Sequence, residues 1–148
     1  MKPIAVTAKL AVAPQPKLLD FQEFRRFGFT TVVNNRPDGE DPSQLGSAVE
    51  AEAARSAGLG YVHIPVTATG MTEQDARLFK EAIEQAPGPV VAHCRSGARS
   101  FYLWVLSGDL DPLSDEELLA KAAELGVDTN AARTWLAAHR NSSGGDKK

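Results

Sequence analysis

The sequence predicts a single α/β domain in which a mostly parallel central sheet is flanked by helices. Short runs rich in β-branched residues alternate with longer segments of helical periodicity, an order typical of parallel sheets with crossover helices. The chain has 148 residues, 43% of them hydrophobic, which is enough to bury one core. We therefore expect one domain over residues 1–140 and a disordered tail at 141–148, because NSSGGDKK is too polar to pack.

Four segments have the composition of strands. They are AKLAVA at 8–13, FTTVVNN at 29–35, YVHIPV at 61–66 and VVAHC at 90–94. Each is short and rich in residues that favour extended backbone, and the turn-forming segments PQP and RPDG follow the first two. A helical pattern lies between each strand and the next, so strands and helices alternate along the chain.

The three intervening helices are marked by apolar periodicity and by end signals. The first, at 18–27, has phenylalanines at helical spacing and Gly28 where a C-terminal cap is expected. Ser47 with Glu50 forms a capping-box pattern, which predicts a helix to about residue 57. Thr72 with Asp75 forms a second capping-box pattern at the start of the third helix.

The remainder of the chain predicts three C-terminal helices. SFYLWVL continues from the loop after the last strand, Ser114 with Glu117 caps DEELLAKAAELG, and Thr129 can cap NAARTWLAAHR. Trp104 and Trp135 lie on apolar faces of these helices. We expect both indoles in the core rather than against a cofactor.

Charge and composition exclude several classes of function. The net charge of -3, with Lys and Arg dispersed along the chain, is not the footprint of a nucleic-acid-binding protein. The N-terminal apolar residues are interrupted by Lys9, Pro14 and Pro16, and no run is long enough to span a bilayer, so we expect a cytoplasmic protein without a membrane partner. A single cysteine excludes an internal disulfide, and no cofactor or metal is expected. The oligomeric state is left open.

The one cysteine lies in a loop that follows the last predicted strand. This segment, HCRSGARS, consists of His93, Cys94, Arg95, Ser96, Gly97, Ala98, Arg99 and Ser100. Ligands of open α/β sheets bind beyond the carboxyl ends of the strands, and a helix is predicted right after Ser100. We therefore expect Cys94 to lie in the crevice at this end, surrounded by the backbone N–H groups of residues 95–100.

The expected chemistry of the loop is that of an activated thiolate. Gly97 permits positive φ in a tight turn, and loop amides together with a helix N-terminus stabilise an anionic sulfur. Arg99 can donate two N–H groups to an oxyanion, whereas Arg95 is as ready to point to solvent. His93 either tunes the thiol or supports the loop from behind. This hypothesis requires a sulfur that solvent can reach, since a buried free cysteine is usually a packing residue.

The loop resembles the P-loop of Cys-dependent protein phosphatases, in which HC is followed by a glycine-containing loop and an arginine. More specifically, FTTVVNNRPDGED, AGLGYVHIPV, GPVVAHCRSGARS and LW, in this order, resemble the beta-lactamase-hydrolase-like phosphatase-like family, formerly a domain of unknown function. The resemblance implies a protein tyrosine or dual-specificity phosphatase-like fold. It also implies that Cys94 is the nucleophile, that Arg99 binds the anion, and that the partner is a small anionic substrate or a phosphoprotein.

Two features depart from ordinary phosphatases. Only RSGA separates Cys94 from Arg99, one residue fewer than in those enzymes. Where they carry an aspartate general acid after the third strand, TATGMTEQD offers hydroxyl groups and an aspartate, Asp75, that the capping pattern already uses. The general acid is therefore one of Asp38, Glu40, Asp41 and Asp75, or it is missing, which would lower the rate by about 10² to 10⁴.

Two other functions are left open by the same residues. CRSGARS also resembles the active-site loop of rhodanese-type sulfurtransferases, in which Cys94 would carry a persulfide and pass its sulfur to a thiol acceptor. Expulsion of a stable anion such as sulfite needs no general acid. The third hypothesis is a noncatalytic module that binds an anion or a phosphopeptide. A metal site of His63, His93 and Cys94 is not favoured, because the spacing is not that of a zinc site.

Overall fold

The computed structural model describes residues 2–108 and 113–146. Its strands are β1 Ile4–Ala5, β2 Leu10–Ala13, β3 Thr31–Asn34, β4 Gly60–His63 and β5 Val90–His93. Its helices are α1 Leu18–Arg26, α2 Ser47–Ser56, α3 Glu73–Gln85, α4 Ala98–Leu106, α5 Asp115–Glu124 and α6 Thr129–Asp146. The predicted strands and helices are all confirmed, and the short strand β1 is additional.

The strands form one sheet in the order β1-β2-β5-β3-β4. Strands β2, β5, β3 and β4 are parallel, as expected when each strand is followed by a crossover helix, and β1 pairs antiparallel with β2 at the edge. β5 lies between β2 and β3. The segment that follows β5 therefore leaves the sheet at its centre, where ligands bind in open parallel sheets.

Helices cover both faces of the sheet, because successive side chains of a strand point to opposite faces. On one face, Val32 and Val91 pack with Phe21 and Phe24 of α1 and with the small residues of α2. On the other face, residues of β2, β3 and β5 pack against α3, α4, α5 and α6. Each face buries its own hydrophobic cluster, so the sheet is fixed from both sides.

The tryptophans confirm the prediction that the C-terminal helices belong to the core. Trp104 of α4 and Trp135 of α6 are both buried in the larger hydrophobic cluster. Phe79 of α3 contacts Trp104 edge to face, with ring centroids 5.8 Å apart. Tyr102 stacks on Trp135 at 4.4 Å, so aromatic contacts join α4 to the helices on either side of it.

Two helix starts differ from the prediction. The N-cap of α2 is Gly46, and the capping carboxylate is that of Asp38, which accepts the Ser47 N–H at 2.7 Å and the Ser47 hydroxyl at 2.6 Å. At α6, Asp128 rather than Thr129 accepts the first backbone N–H groups, those of residues 130 and 131. The other two predicted capping boxes are confirmed, those of Thr72 with Asp75 and of Ser114 with Glu117.

At the carboxyl end of the described residues, α6 runs through Asp146. Residues 147 and 148 lie outside the described residues, and the division into a domain at 1–140 and a disordered tail stays a prediction. Within the described ranges, none of the helices is long and apolar enough to cross a membrane.

Candidate active site

The loop between β5 and α4 forms a tight turn around the cysteine. β5 ends at His93, and α4 begins at Ala98 with Gly97 as its N-cap. Gly97 has φ of 100°, the left-handed region that glycine adopts without strain. This turn directs the Gly97 N–H at the sulfur, and it donates to Cys94 Sγ at 3.1 Å. The predicted position of the loop and the positive φ of Gly97 are confirmed.

Cys94 is fully buried, whereas the sequence predicts a sulfur that solvent can reach. Arg99 lies in the first turn of α4, where the hydrogen bond to Glu40 raises the pKa of Arg99 and an electrostatic interaction with Cys94 adds to the rise. Its guanidinium also donates to the carbonyl of Val66 at 3.1 Å, which holds it at the carboxyl edge of the sheet. The sequence therefore predicts that Cys94 and Arg99 lie in the same loop, but it does not predict that Cys94 is buried.

Glu40 forms a two-bond ion pair with Arg99. Arg99 Nη1 donates to Oε2 at 2.7 Å, and Nη2 donates to Oε1 at 3.0 Å. Arg36 adds a third bond, from Nε to Oε1, at 3.0 Å. The bond from Arg99, with a smaller contribution from Arg36, lowers the pKa of Glu40 to about 2. The guanidinium of Arg99, which the sequence predicts to bind a substrate anion, is therefore paired with the carboxylate of Glu40.

The other carboxyl groups considered as proton donors have local partners. Asp38 caps α2, and Asp75 belongs to the capping box at the start of α3. Asp41 accepts the backbone N–H of Ser43, which lowers the pKa of Asp41. Of the four candidates, Glu40 is the one that contacts Arg99, and its pKa keeps it ionised at neutral pH.

A buried acid-base pair supports the loop from behind. His93 Nε2 and Glu50 Oε1 are 2.7 Å apart, with the two side chains 0% and 1% exposed. Nδ1 of His93 donates to the Cys94 carbonyl at 3.1 Å, because a carbonyl oxygen can only accept. Gln15 Nε2 donates to the second oxygen of Glu50 at 2.8 Å. Assignment of Glu50 to a capping box is therefore wrong, since its side chain turns into the interior to reach His93.

Asn35 fixes the loop to the neighbouring strands. Its backbone N–H donates to the His93 carbonyl at 2.7 Å, and its Nδ2 donates to the Ile64 carbonyl at 2.9 Å. Its Oδ1 accepts the hydroxyl of Ser100 at 2.8 Å, so this hydroxyl points to Asn35 and is buried. The sequence signal was available, because polar residues directly after β3 must meet the end of the adjacent parallel strand β5.

The remaining predicted site residues lie at the rim of the loop. Arg95 and Ser96 are exposed, and Ala98 is half-buried. His63 is half-buried and donates from Nε2 to the Arg36 carbonyl at 2.8 Å. Over residues 2–108 and 113–146, no cluster of three or more His, Cys, Asp or Glu side chains could hold a metal ion.

The fold and the loop define a class of protein. A parallel sheet with a Cys-to-Arg loop at its centre, between a strand and a helix N-terminus, is a phosphatase-like domain with the protein tyrosine or dual-specificity phosphatase-like fold. The family described as beta-lactamase hydrolase-like protein, phosphatase-like domain, matches residues 4–111. The chain belongs to this family, which confirms the resemblance found in the sequence.

Individual relatives agree with this assignment. A beta-lactamase hydrolase-like protein of Agrobacterium fabrum strain C58 is 41% identical over 139 residues, which cover 92% of this chain and 32% of that protein. The chain thus spans about a third of the length of the curated relatives it matches.

Solved structures extend the comparison to the fold. The nma1982 protein of Neisseria meningitidis Z2491 superposes with a TM-score of 0.81 at 31% identity, covering 91% of this chain and 96% of that one. The core catalytic domain of the PP-IP phosphatase SIW14 from S. cerevisiae, in complex with citrate, has a TM-score of 0.66 at 10% identity, covering 93% and 92%. At that identity the similarity shows the fold alone.

Proposed function

We propose that this domain is a phosphatase that acts through a covalent intermediate on Cys94. The observation that carries the proposal is the environment of the sulfur, which accepts the Gly97 N–H at 3.1 Å and lies before a helix whose first turn contains Arg99. Amide N–H groups, a guanidinium and a helix N-terminus all stabilise negative charge. The same groups would bind the oxygens of a phosphoryl group attached to the sulfur.

The proposed reaction has two steps. The Cys94 thiolate attacks phosphorus, so that an S–P bond forms and the P–O bond to the leaving group breaks. Water then attacks the same phosphorus and the S–P bond breaks, which releases phosphate and restores the thiolate. The guanidinium of Arg99 and the loop amides stabilise the charge on the three remaining phosphoryl oxygens in both steps.

In this proposal, the rate with a given substrate depends on how stable its leaving group is as an anion. Glu40, the one carboxyl group of the four candidates that contacts Arg99, has a pKa of about 2 and holds no proton to donate at neutral pH. Departure of the leaving oxygen is then unassisted, which favours leaving groups that are stable as anions. We therefore propose that aryl phosphates, free or on a phosphoprotein, react faster than alkyl phosphates.

The burial of Cys94 adds a requirement to the mechanism. We propose that a substrate binds only when the Glu40 carboxylate leaves Arg99, because Glu40 pairs with the guanidinium that would bind the substrate anion. We propose that the loop at 37–46 opens for this purpose. Since Cys94 is the single cysteine, its alkylation by iodoacetamide can be followed by mass, and Glu40→Ala should accelerate it.

Hydrolysis of p-nitrophenyl phosphate tests the proposal. Cys94→Ser should abolish turnover, and Arg99→Lys should lower kcat about 10²- to 10³-fold, because lysine lacks the planar fork. The matched control is Arg95→Lys, an exposed arginine of the same loop, which should stay near the wild-type rate. Turnover that survives Cys94→Ser would refute the covalent mechanism.

Incubation with thiosulfate separates the other two hypotheses. The added mass of one sulfur on Cys94, without hydrolysis of p-nitrophenyl phosphate, would favour a sulfurtransferase. Phosphate binding without turnover of either donor would favour a noncatalytic anion-binding module.

A further inference from the structure

We infer that the site has a second anion position, formed by Arg36 together with Arg99 and filled by the Glu40 carboxylate in the free protein. Its preferred ligands would then carry a second anionic group beside the group held at Cys94. The inference rests on the proposed function, which assigns the first position, at the sulfur, to a phosphoryl group.

The Glu40 carboxylate marks the second position. Its Oε1 is 3.0 Å from Arg36 Nε and 3.0 Å from Arg99 Nη2, so two guanidiniums converge on one oxygen. Its Oε2 is 2.7 Å from Arg99 Nη1. An oxygen of a ligand carboxylate or phosphate at the same place would accept the same charge-assisted hydrogen bonds.

Arg36 is built into the fold and is not a mobile surface residue. Its side chain is 5% exposed, and Nη1 donates to Gln15 Oε1 at 3.0 Å. Its backbone N–H donates to Asn34 Oδ1 at 2.8 Å, and its carbonyl accepts from His63. These contacts keep the guanidinium in place when Glu40 moves away.

When Glu40 is displaced, the buried guanidinium of Arg36 loses its ion pair, and the ligand must supply a new anion. A buried guanidinium is costly unless an anion pairs with it, and the carboxylate that bonds to Arg36 is that of Glu40. A ligand with one anionic group, held by Cys94 and Arg99, would leave the Arg36 guanidinium hydrogen-bonded to Gln15 but without its ion pair. A ligand with a second anionic group would replace the lost ion pair and bind more tightly.

The separation of the two positions defines the class of ligand. Arg99 pairs with the Glu40 carboxylate from the first turn of the helix that follows the Cys94 loop, so one guanidinium adjoins both positions. The two anionic groups must therefore be neighbours in the ligand, as in a phosphate with an adjacent carboxylate or an adjacent phosphate. The shared chemistry is a phosphoryl group flanked by a second anion.

Binding of three inert probes, measured by calorimetry, tests the inference. Methylphosphonate has one anionic group, phosphonoacetate adds a carboxylate, and methylenediphosphonate adds a second phosphonate. We expect the wild-type protein to bind the better of the two-group probes about 10- to 100-fold more tightly than methylphosphonate, as for the gain of a hydrogen bond between charged groups. The two-group probe that binds more tightly shows whether the second anionic group of the ligand is a carboxylate or a phosphoryl group.

Variants at two arginines distinguish binding at a specific second anion position from general electrostatic attraction of anions. Arg36→Met should remove most of the preference for two-group probes, whereas Arg95→Met changes the net charge equally and should retain it. Arg36→Lys, which keeps the charge but not the planar fork, should reduce the preference and serves if Arg36→Met does not fold. Equal preferences in the variants at Arg36 and Arg95, or no preference in the wild-type protein, would overturn the inference.

The outcome is independent of the proposed reaction, because none of the probes has a bond that the site can hydrolyse. A preference that depends on Arg36, found without turnover of p-nitrophenyl phosphate, would refute the proposed function and leave the second anion position standing. Turnover without that preference would refute the second position alone.

Discussion

Acidification should strengthen the binding of a simple anion, because Glu40 competes for the same guanidinium. In the free protein the bond from Arg99 lowers the pKa of Glu40 from 4.5 to about 2. The ion pair is therefore fully formed above pH 4.5 and is lost as the pH falls through about 2. A bound anion displaces the carboxylate, whose pKa then returns to its ordinary value. Between these two values, anion binding takes up a proton on Glu40.

The size of the effect follows from the two pKa values. At about pH 4 the displaced carboxyl group is mostly protonated, whereas Glu40 in the free protein is still almost fully ionised. Linkage between the two states predicts that the Kd falls about fourfold between about pH 7 and about pH 4. Glu40→Gln has no proton to take up and no carboxylate that competes, so its Kd should be lower at neutral pH and should lack this proton-linked change.

Sulfate is the probe for this experiment, because it remains a dianion over the whole range. Its Kd should be measured by calorimetry at constant ionic strength, in buffers of different ionisation enthalpy, so that proton uptake is measured directly. Other groups that titrate are common to the wild-type protein and Glu40→Gln, and their effect cancels in the ratio of the two Kd values. A ratio that does not change with pH would refute the idea that Glu40 occupies the anion site.

Two further predictions concern the groups that hold the loop. Glu50→Leu should lower the free energy of unfolding in urea by about 3–5 kcal/mol, because it leaves His93 buried without its partner; Glu50→Gln keeps one acceptor and should cost less, so equal losses would contradict the pairing. Gly97→Ala and Gly28→Ala should each lose about 1–2 kcal/mol, since both glycines have φ near 100°. Turnover should fall in Gly97→Ala alone, because a shift of the backbone at residue 97 would turn its N–H away from Cys94 Sγ. An equal fall in both variants would argue against the role of the Gly97 N–H.

The strands and helices could be predicted because the signals for each of them lie within a few neighbouring residues of the sequence. β-branched runs, capping boxes such as Thr72 with Asp75, and glycines at helix ends each act within a few residues. The placement of HCRSGARS between a strand and a helix also follows from its neighbours in sequence. These features were sufficient to place the loop that contains Cys94 and Arg99 and to predict the mostly parallel sheet. β1 was missed because two residues give too short a pattern.

The contacts that close and support the site join distant parts of the chain. Glu50 and His93 are 43 residues apart, and Glu40 and Arg99 are 59 residues apart. A residue such as Glu50 can satisfy a local capping pattern and still turn inward, since the pattern does not determine which way a side chain points. The exposure of Cys94 depends on how distant segments pack around it, and for this reason the sequence predicted an exposed sulfur where the structure has a buried one.

The pairing of Glu40 with Arg99 also sets a threshold for what the site can retain. A competitor on the same chain is present at an effective concentration that dilution does not change, of about millimolar order for short flexible connections. Ions with a single charged group, such as free sulfate or phosphate, would therefore bind less tightly than they would without this competitor. In this proposal a ligand with two adjacent charges would exceed this threshold, and selectivity would arise from a carboxylate that must first be displaced.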